Sequence, residues 1–274
     1  MKWLKKLQTI DSKIIYLVLF FAIALPLIFP IGIPVEINAG TRTFYDTIDN
    51  LPKGSVILIS YDWDAASAPE LLPQATAITK HALTNGHKIV ALGLWYAGPT
   101  FADRVHNAVA AEVEGKEYGV DFVNLGYRPG GAVVLNSMAR DFHQTFPEDV
   151  NRTRLSEIPL MKEVKDINDI DLIIDLSAGD PGYRAYIEQI GSQYNVPILV
   201  GCTAVSVSGI TPYLQSGNVG ALLGGLRAAA EYELLIDTPG LGLGGMDAQS
   251  VAHLTIIAFI IVGNIAYIAT KKKK

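Results

Sequence analysis

Half of the 274 residues are hydrophobic, and the formal net charge of −5 hides a strong asymmetry. Lys2, Lys5, Lys6, Lys13 and Lys271–Lys274 account for eight of the 22 basic residues, whereas only Asp11 of the 27 acids lies at those ends, leaving 26 acids against 14 bases between them. So acidic a middle disfavours nucleic-acid binding, and a single cysteine, Cys202, excludes an internal disulfide and a cysteine-based zinc site.

Residues 1–13 form a short basic segment, expected to lie in the cytoplasm. Residues 14–33 (IIYLVLFFAIALPLIFPIGI) are apolar throughout and predict a first transmembrane helix, kinked or ended by Pro26 and Pro30. The basic-then-apolar order is also that of a signal peptide. No small-residue cleavage site follows at once, Asn38-Ala39-Gly40 being the nearest, so the reading is an uncleaved anchor.

Between residues 34 and 236 the pattern alternates. A short helix over 41–50, capped by Thr41 or Thr43, precedes a buried-strand run, SVILISY, at 55–61. A helix over 69–84, a strand KIVALGL at 88–94, a helix over 101–114 and a strand VDFVNL at 120–125 follow. Next come a helix over 132–146, a polar stretch to 168 with one short helix, a strand LIIDL at 172–176, a helix over 181–194 and a strand PILVGC at 197–202. Strands separated by helices of this length imply parallel crossover units. The expected fold is therefore a doubly wound, Rossmann-like α/β domain with a mostly parallel sheet of five or six strands.

Residues 216–236 (SGNVGALLGGLRAAAEYELLI) read as one long helix carrying Gly217, Gly220 and Gly224 on a single face, suited to close packing on another helix, a subunit or the domain's own sheet. Residues 237–250, rich in glycine, read as a flexible linker. Residues 251–270 hold no Asp, Glu, Lys or Arg and are followed by the lysine tail 271–274, the pattern of a second transmembrane helix with its stop on the cytoplasmic side. His253 and Asn264, eleven residues apart, return to within roughly 20° of one another on a helix, so this face is expected to pack on protein rather than lipid. Positive residues flank both spans on their outer ends, whereas the inner flanks hold Arg42 alone after the first span and none between 236 and 251. That places both termini in the cytoplasm and the main domain outside the cell membrane.

In an open parallel sheet, ligands bind beyond the carboxyl ends of the strands. The candidate ligand-binding residues are therefore Asp62 and Asp64 after the first strand and Trp95 after the second. Tyr127, Arg128 and Gly130 follow the third, Asp180 and Tyr183 the fourth, and Tyr213 lies beyond the fifth. Asp62 and Asp64, spaced by one residue, match the magnesium-binding pair of Asp-x-Asp phosphotransferases in that respect alone; helix capping by Asp64 or Ser67 is the competing use. Gly126-Tyr127-Arg128-Pro129-Gly130-Gly131 opens a helix and offers amides and a guanidinium to an anion. Asp180-Pro181 offers a similar helix start, with Pro181 at the first helical position. His81, His87, His106 and His143 have no ligand-like spacing and read as surface or capping residues. No phosphate-binding loop, dinucleotide fingerprint, nucleophile elbow or zinc-protease motif is present, so no catalytic residue, metal or cofactor is assigned.

The phrases Tyr61-Asp62-Trp63-Asp64, Val123-Asn124-Leu125-Gly126-Tyr127, Cys202-Thr203-Ala204-Val205-Ser206 and Pro212-Tyr213-Leu214-Gln215-Ser216-Gly217 resemble a prokaryotic family of membrane-anchored α/β proteins. The resemblance spans about 41–236 and brings no catalytic residue with it. Three functions are compatible with these readings. The first is a non-catalytic subunit of a membrane assembly, touching lipid and a protein partner or a second copy through its spans and the 216–236 segment. The second is an extracytoplasmic small-ligand binding or sensing domain, and the third a metal-dependent hydrolase using Asp62 and Asp64.

Overall fold

The structure is a computed structural model and describes residues 10–270. The expectations for Lys2, Lys5, Lys6 and the lysine tail fall outside these residues. The first helix, α1 (Ser12–Ile28), is capped by Asp11, whose carboxylate accepts from the Lys13 amide at 2.9 Å. It stops five residues short of the expected span, because the backbone turns extended at Phe29 ahead of Pro30.

Helix α2 (Ala39–Asp49) is capped by Asn38 rather than Thr41 or Thr43. Then β1 (Val56–Asp62), α3 (Ala68–Thr84), β2 (Lys88–Gly93), α4 (Gly98–Glu112) and β3 (Phe122–Tyr127) alternate as the hydrophobic pattern predicts. The helix expected over 132–146 is two. Between α5 (Ala132–Arg140) and α6 (Phe142–Thr145), Asp141 is extended and uses its carboxylate to cap the second at the Gln144 amide, 2.9 Å. The polar stretch that follows contains α7 (Pro159–Glu163) and buries Leu155, Ile158, Leu160, Met161 and Ile167, so it is core as well as connection.

β4 (Leu172–Ser177) leads to α8 (Tyr183–Tyr186), continued by a π-type turn over Ile187–Gly191. The helix start differs from expectation: Gly182 is the cap and Pro181 lies before it. β5 (Ile198–Cys202) and α9 (Val207–Gln215) follow.

The long helix over 216–236 is not formed. Ala221–Gly224 is a sixth strand, β6, paired in parallel with β5 from Leu199↔Ala221 to Cys202↔Gly224, and only Gly225–Leu235 is helical (α10). Ala-Leu-Leu-Gly has helix-forming composition, but the open edge of β5 supplies backbone partners that override it. Gly217 sits in a turn at φ +77°, Gly220 donates its amide to Ile198 O at 2.8 Å and Gly224 ends the strand, so the three share no helix face.

The sheet is entirely parallel, in the order β3-β2-β1-β4-β5-β6. One face, with Leu58, Val90, Val123, Ile173 and Val200, packs with Leu135 and Met138 of α5 and with Tyr186 and Ile190. The other, with Ile57, Ile59, Ile89, Ile174 and Leu199, packs with Phe44 and Ile48 of α2, Ile78 of α3, Val105 of α4 and Tyr232 of α10. His81, His87 and His106 are buried, not superficial: His81 is held between the Tyr232 hydroxyl (2.7 Å) and Asp49, and His106 Nε2 meets the Tyr61 hydroxyl at 3.1 Å.

The supposed linker is equally ordered. Glu233 of α10 is buried and accepts the Gly240 amide at 2.9 Å and the Gly242 amide at 2.7 Å. A Cβ on Gly242 would lie 2.8 Å from the Ala230 amide, so the glycine serves close approach rather than flexibility. The last helix, α11, runs unbroken from Leu241 to Thr270, ten residues longer than the expected span.

The chain divides into two units, Val35–Gly242 and its two ends. In the first, Glu231 of α10 pins the incoming chain, accepting from the Asn38 amide at 3.1 Å and the Thr41 hydroxyl at 2.6 Å. In the second, α11 is the only helix among the described residues long and apolar enough to cross a membrane, while the 17-residue α1 is shorter. Asp247 of α11, 2% exposed, receives three successive amides from the segment after α1: Ile31 at 2.7 Å, Gly32 at 2.9 Å and Ile33 at 2.9 Å.

Candidate functional site

The chain runs β1 to β2 to β3 in one direction and then crosses to β4 on the other side of β1, so the topological switch point lies between β1 and β4. Side chains two residues apart in a strand share a face. Ser60 is registered with Asp175, and Asp62 with Ser177, so these four form a polar square on one face of the sheet at its carboxyl edge. All four are buried, in strands whose other inward positions are Leu, Ile and Val.

Asp62 accepts from the Leu94 amide and from Ser60 Oγ at 2.8 Å. Burial pushes its pKa up to about 6, against the pull of those donors and of Asp175. Neither oxygen of Asp175 meets a partner at hydrogen-bonding geometry. Burial and then the neighbouring Asp62 raise its pKa well above the ordinary carboxylate value. The Tyr186 hydroxyl, also buried and unpartnered, faces the same charges, and its pKa is likewise raised by burial and by both carboxyls. Cys202 borders the group next to Ser177, its thiol pushed up to about 12 by burial and by Asp175.

The connection from β4 to α8 closes this group off. Gly182 lies so near Ser177 that a Cβ there would fall 2.1 Å from Oγ, and Trp95 Nε1 donates to Pro181 O at 2.8 Å over the top. Asp180 and Arg184 make an exposed ion pair at 3.5 Å, which contributes little.

The residues singled out from sequence fall into three places. Asp62 is in the buried group, but its carboxyl neighbour is Asp175, not Asp64. Asp64 is exposed and accepts from the Ala66 amide at 3.0 Å in a local turn. Trp95, Asp180, Tyr183 and Tyr213 gather over β4 and β5, with Tyr183 on Tyr213 edge to face at 5.7 Å. Tyr127 ends β3 and Arg128 and Gly130 lie beyond it; Tyr127 and Arg128 line an open cavity of about 610 Å³ with Glu148 and Asp149, and Tyr96 packs on Tyr127 at 5.8 Å.

Sequence reasoning missed Ser60, Asp175, Ser177 and Tyr186. The available signal was the Asp inside LIIDL, since a strand covered on both faces seldom carries a carboxylate.

No protein-family model, curated protein or solved structure matches the chain. What the edge can do follows from its own groups. The helix start after β1, where doubly wound folds hold phosphates, carries Glu70, whose carboxylate accepts the Ala204 amide at 2.8 Å. A carboxylate already in that position repels a phosphate. Among the described residues no three His, Cys, Asp or Glu side chains assemble where they could hold a metal ion. The edge therefore offers a buried carboxyl pair with hydroxyls beneath an aromatic rim.

Proposed function

We propose that this chain is a two-pass membrane protein that holds its α/β domain outside the cytoplasmic membrane, with both termini inside, and serves as a non-catalytic subunit of a membrane assembly. The observation that carries the two-pass reading is the Asp247 carboxylate, which gathers the amides of Ile31, Gly32 and Ile33. An anion bound by three amides ties the far end of the first apolar segment to the near end of the long helix. This is the connection an antiparallel pair of spans requires. On α11, Ile256, Ile257, Ile260, Ile261 and Ile265 are exposed, as are His253 and Asn264. Ile256, Ile261 and Ile265 suit lipid, whereas His253 and Asn264, with Ile257 and Ile260 on their stripe, gain more from a protein neighbour.

Chemical cross-linking in native membranes tests the assembly. A discrete larger species, lost on His253→Leu with Asn264→Leu, is expected; a monomer that cross-links to nothing overturns it.

A second reading, binding of a small polar ligand at the sheet edge, is favoured by the buried and unpartnered Asp175 at the switch point. Thermal-shift screening of wild type against Asp175→Asn tests it. No ligand-dependent stabilisation of wild type would count against it.

A further inference from the structure

On the face of the sheet opposite the carboxyl pair, α3 and α4 run side by side with a trough between them. Its floor and walls are Leu72, Pro73, Thr76 and Ala77 of α3 and Val105 and Ala108 of α4, and the third wall is Ile236 with the ordered segment Thr238–Leu241. The cavity has a volume of about 300 Å³. Small side chains at Ala77 and Ala108 are what keep it open.

Three observations limit what can fill it. The volume lies at the low end for ligand sites. The lining is mostly apolar, so a sugar or nucleotide would leave most of its polar groups unpaired. One carboxylate, Glu233, lines the interior and is taken up by the Gly240 and Gly242 amides, and the other charged groups stand at the rim. Lys80 and Glu112 bridge the trough at 2.8 Å, and Arg104, two helical turns before Glu112 on the same stripe of α4, is exposed with no carboxylate partner among the described residues. A slim apolar body with an anionic group at one end matches this arrangement. The wall that completes the trough also ends in Leu241, the first residue of the helix read as membrane-spanning.

We propose that this trough binds one acyl chain of a bilayer phospholipid, with the lipid phosphate at Arg104. The inference rests on the membrane reading above. Lipid reaches the domain because the domain is tethered within ten residues of the apolar run that starts at Val251.

The test uses the full chain in vesicles of phosphatidylethanolamine and phosphatidylglycerol, doped with a phosphatidylcholine bearing a photoreactive diazirine at the end of one acyl chain. After irradiation, labelled peptides are located by mass spectrometry. Label is expected on 68–84 or 98–112 as well as on 251–270. Ala108 is exposed, so Ala108→Trp can fill the trough without disturbing the core. The indole takes the place of part of the chain, which lowers trough labelling roughly tenfold and leaves 251–270 labelled as before. Arg104→Glu lowers it in the same place. Label on 251–270 alone, or trough labelling unchanged in Ala108→Trp, overturns the proposal. Label on neither would instead overturn the membrane reading on which it stands.

Discussion

Asp175→Asn should reverse part of the protein's pH dependence. In the fold Asp175 keeps its proton well above the ordinary carboxylate range, whereas in the unfolded chain it ionises near pH 4. Above that pH the folded state therefore holds one proton more than the unfolded state, and Asp175 makes stability fall as pH rises. The slope from one such group is about 1.4 kcal/mol per pH unit for as long as the carboxyl stays protonated. Asparagine has no proton to lose and keeps the size and shape of the side chain. The variant should thus gain on wild type as the pH is raised from 4. Urea unfolding of the full chain in detergent micelles, followed by tryptophan fluorescence, measures the difference, since Trp63 is buried in the domain and Trp95 sits over the carboxyl pair. A wild-type-minus-variant difference that stays flat with pH would refute a protonated Asp175.

His106 makes the opposite contribution. Burial pushes its pKa down to about 3, so stability is full above pH 6.5 and is lost as the solution is acidified towards that value. His106→Gln should remove about 3 kcal/mol of the loss between pH 6.5 and 4, measured by the same unfolding experiment. Glu233→Ala should leave the Gly240 and Gly242 amides without their acceptor, at a cost of about 1–3 kcal/mol, with faster hydrogen exchange over 238–242. Asp247→Ala should likewise deprotect Ile31, Gly32 and Ile33, and slow exchange at those amides in the variant would contradict the tie described here.

The alternation of strands and helices made the α/β class and five of the six strands readable, because each is a short, mostly apolar segment rich in Val, Ile and Leu and bounded by turn residues. β6 was hidden because Ala221–Gly224 has no β-branched residue and is a strand only through its pairing with β5. The segment 237–242 looked flexible because glycine allows both freedom and close contact; what decides is Glu233, whose role appears only when Gly240 and Gly242 reach it. The sheet edge was legible as a location, since the loops after the strands do converge there. Its chemistry was not, because Asp62 and Asp175 are 113 positions apart and meet only through the β1–β4 register. The lengths of α1 and α11 also departed from the hydropathy pattern, as Pro30 and the backbone at Phe29 shorten the first while Leu241–Ser250 extends the second.

The two-pass arrangement is tested most directly by thiol accessibility. Cys202 is buried and its thiol is pushed up to about 12, so the chain is nearly silent to maleimide before any cysteine is introduced. Lys2→Cys, Asn151→Cys and Lys271→Cys are each made singly and exposed to a membrane-impermeant maleimide on right-side-out vesicles. The account predicts that Asn151→Cys labels at once and that Lys2→Cys and Lys271→Cys label only after the vesicles are opened. Labelling of Lys2→Cys or Lys271→Cys in sealed vesicles, or protection of Asn151→Cys, would contradict it.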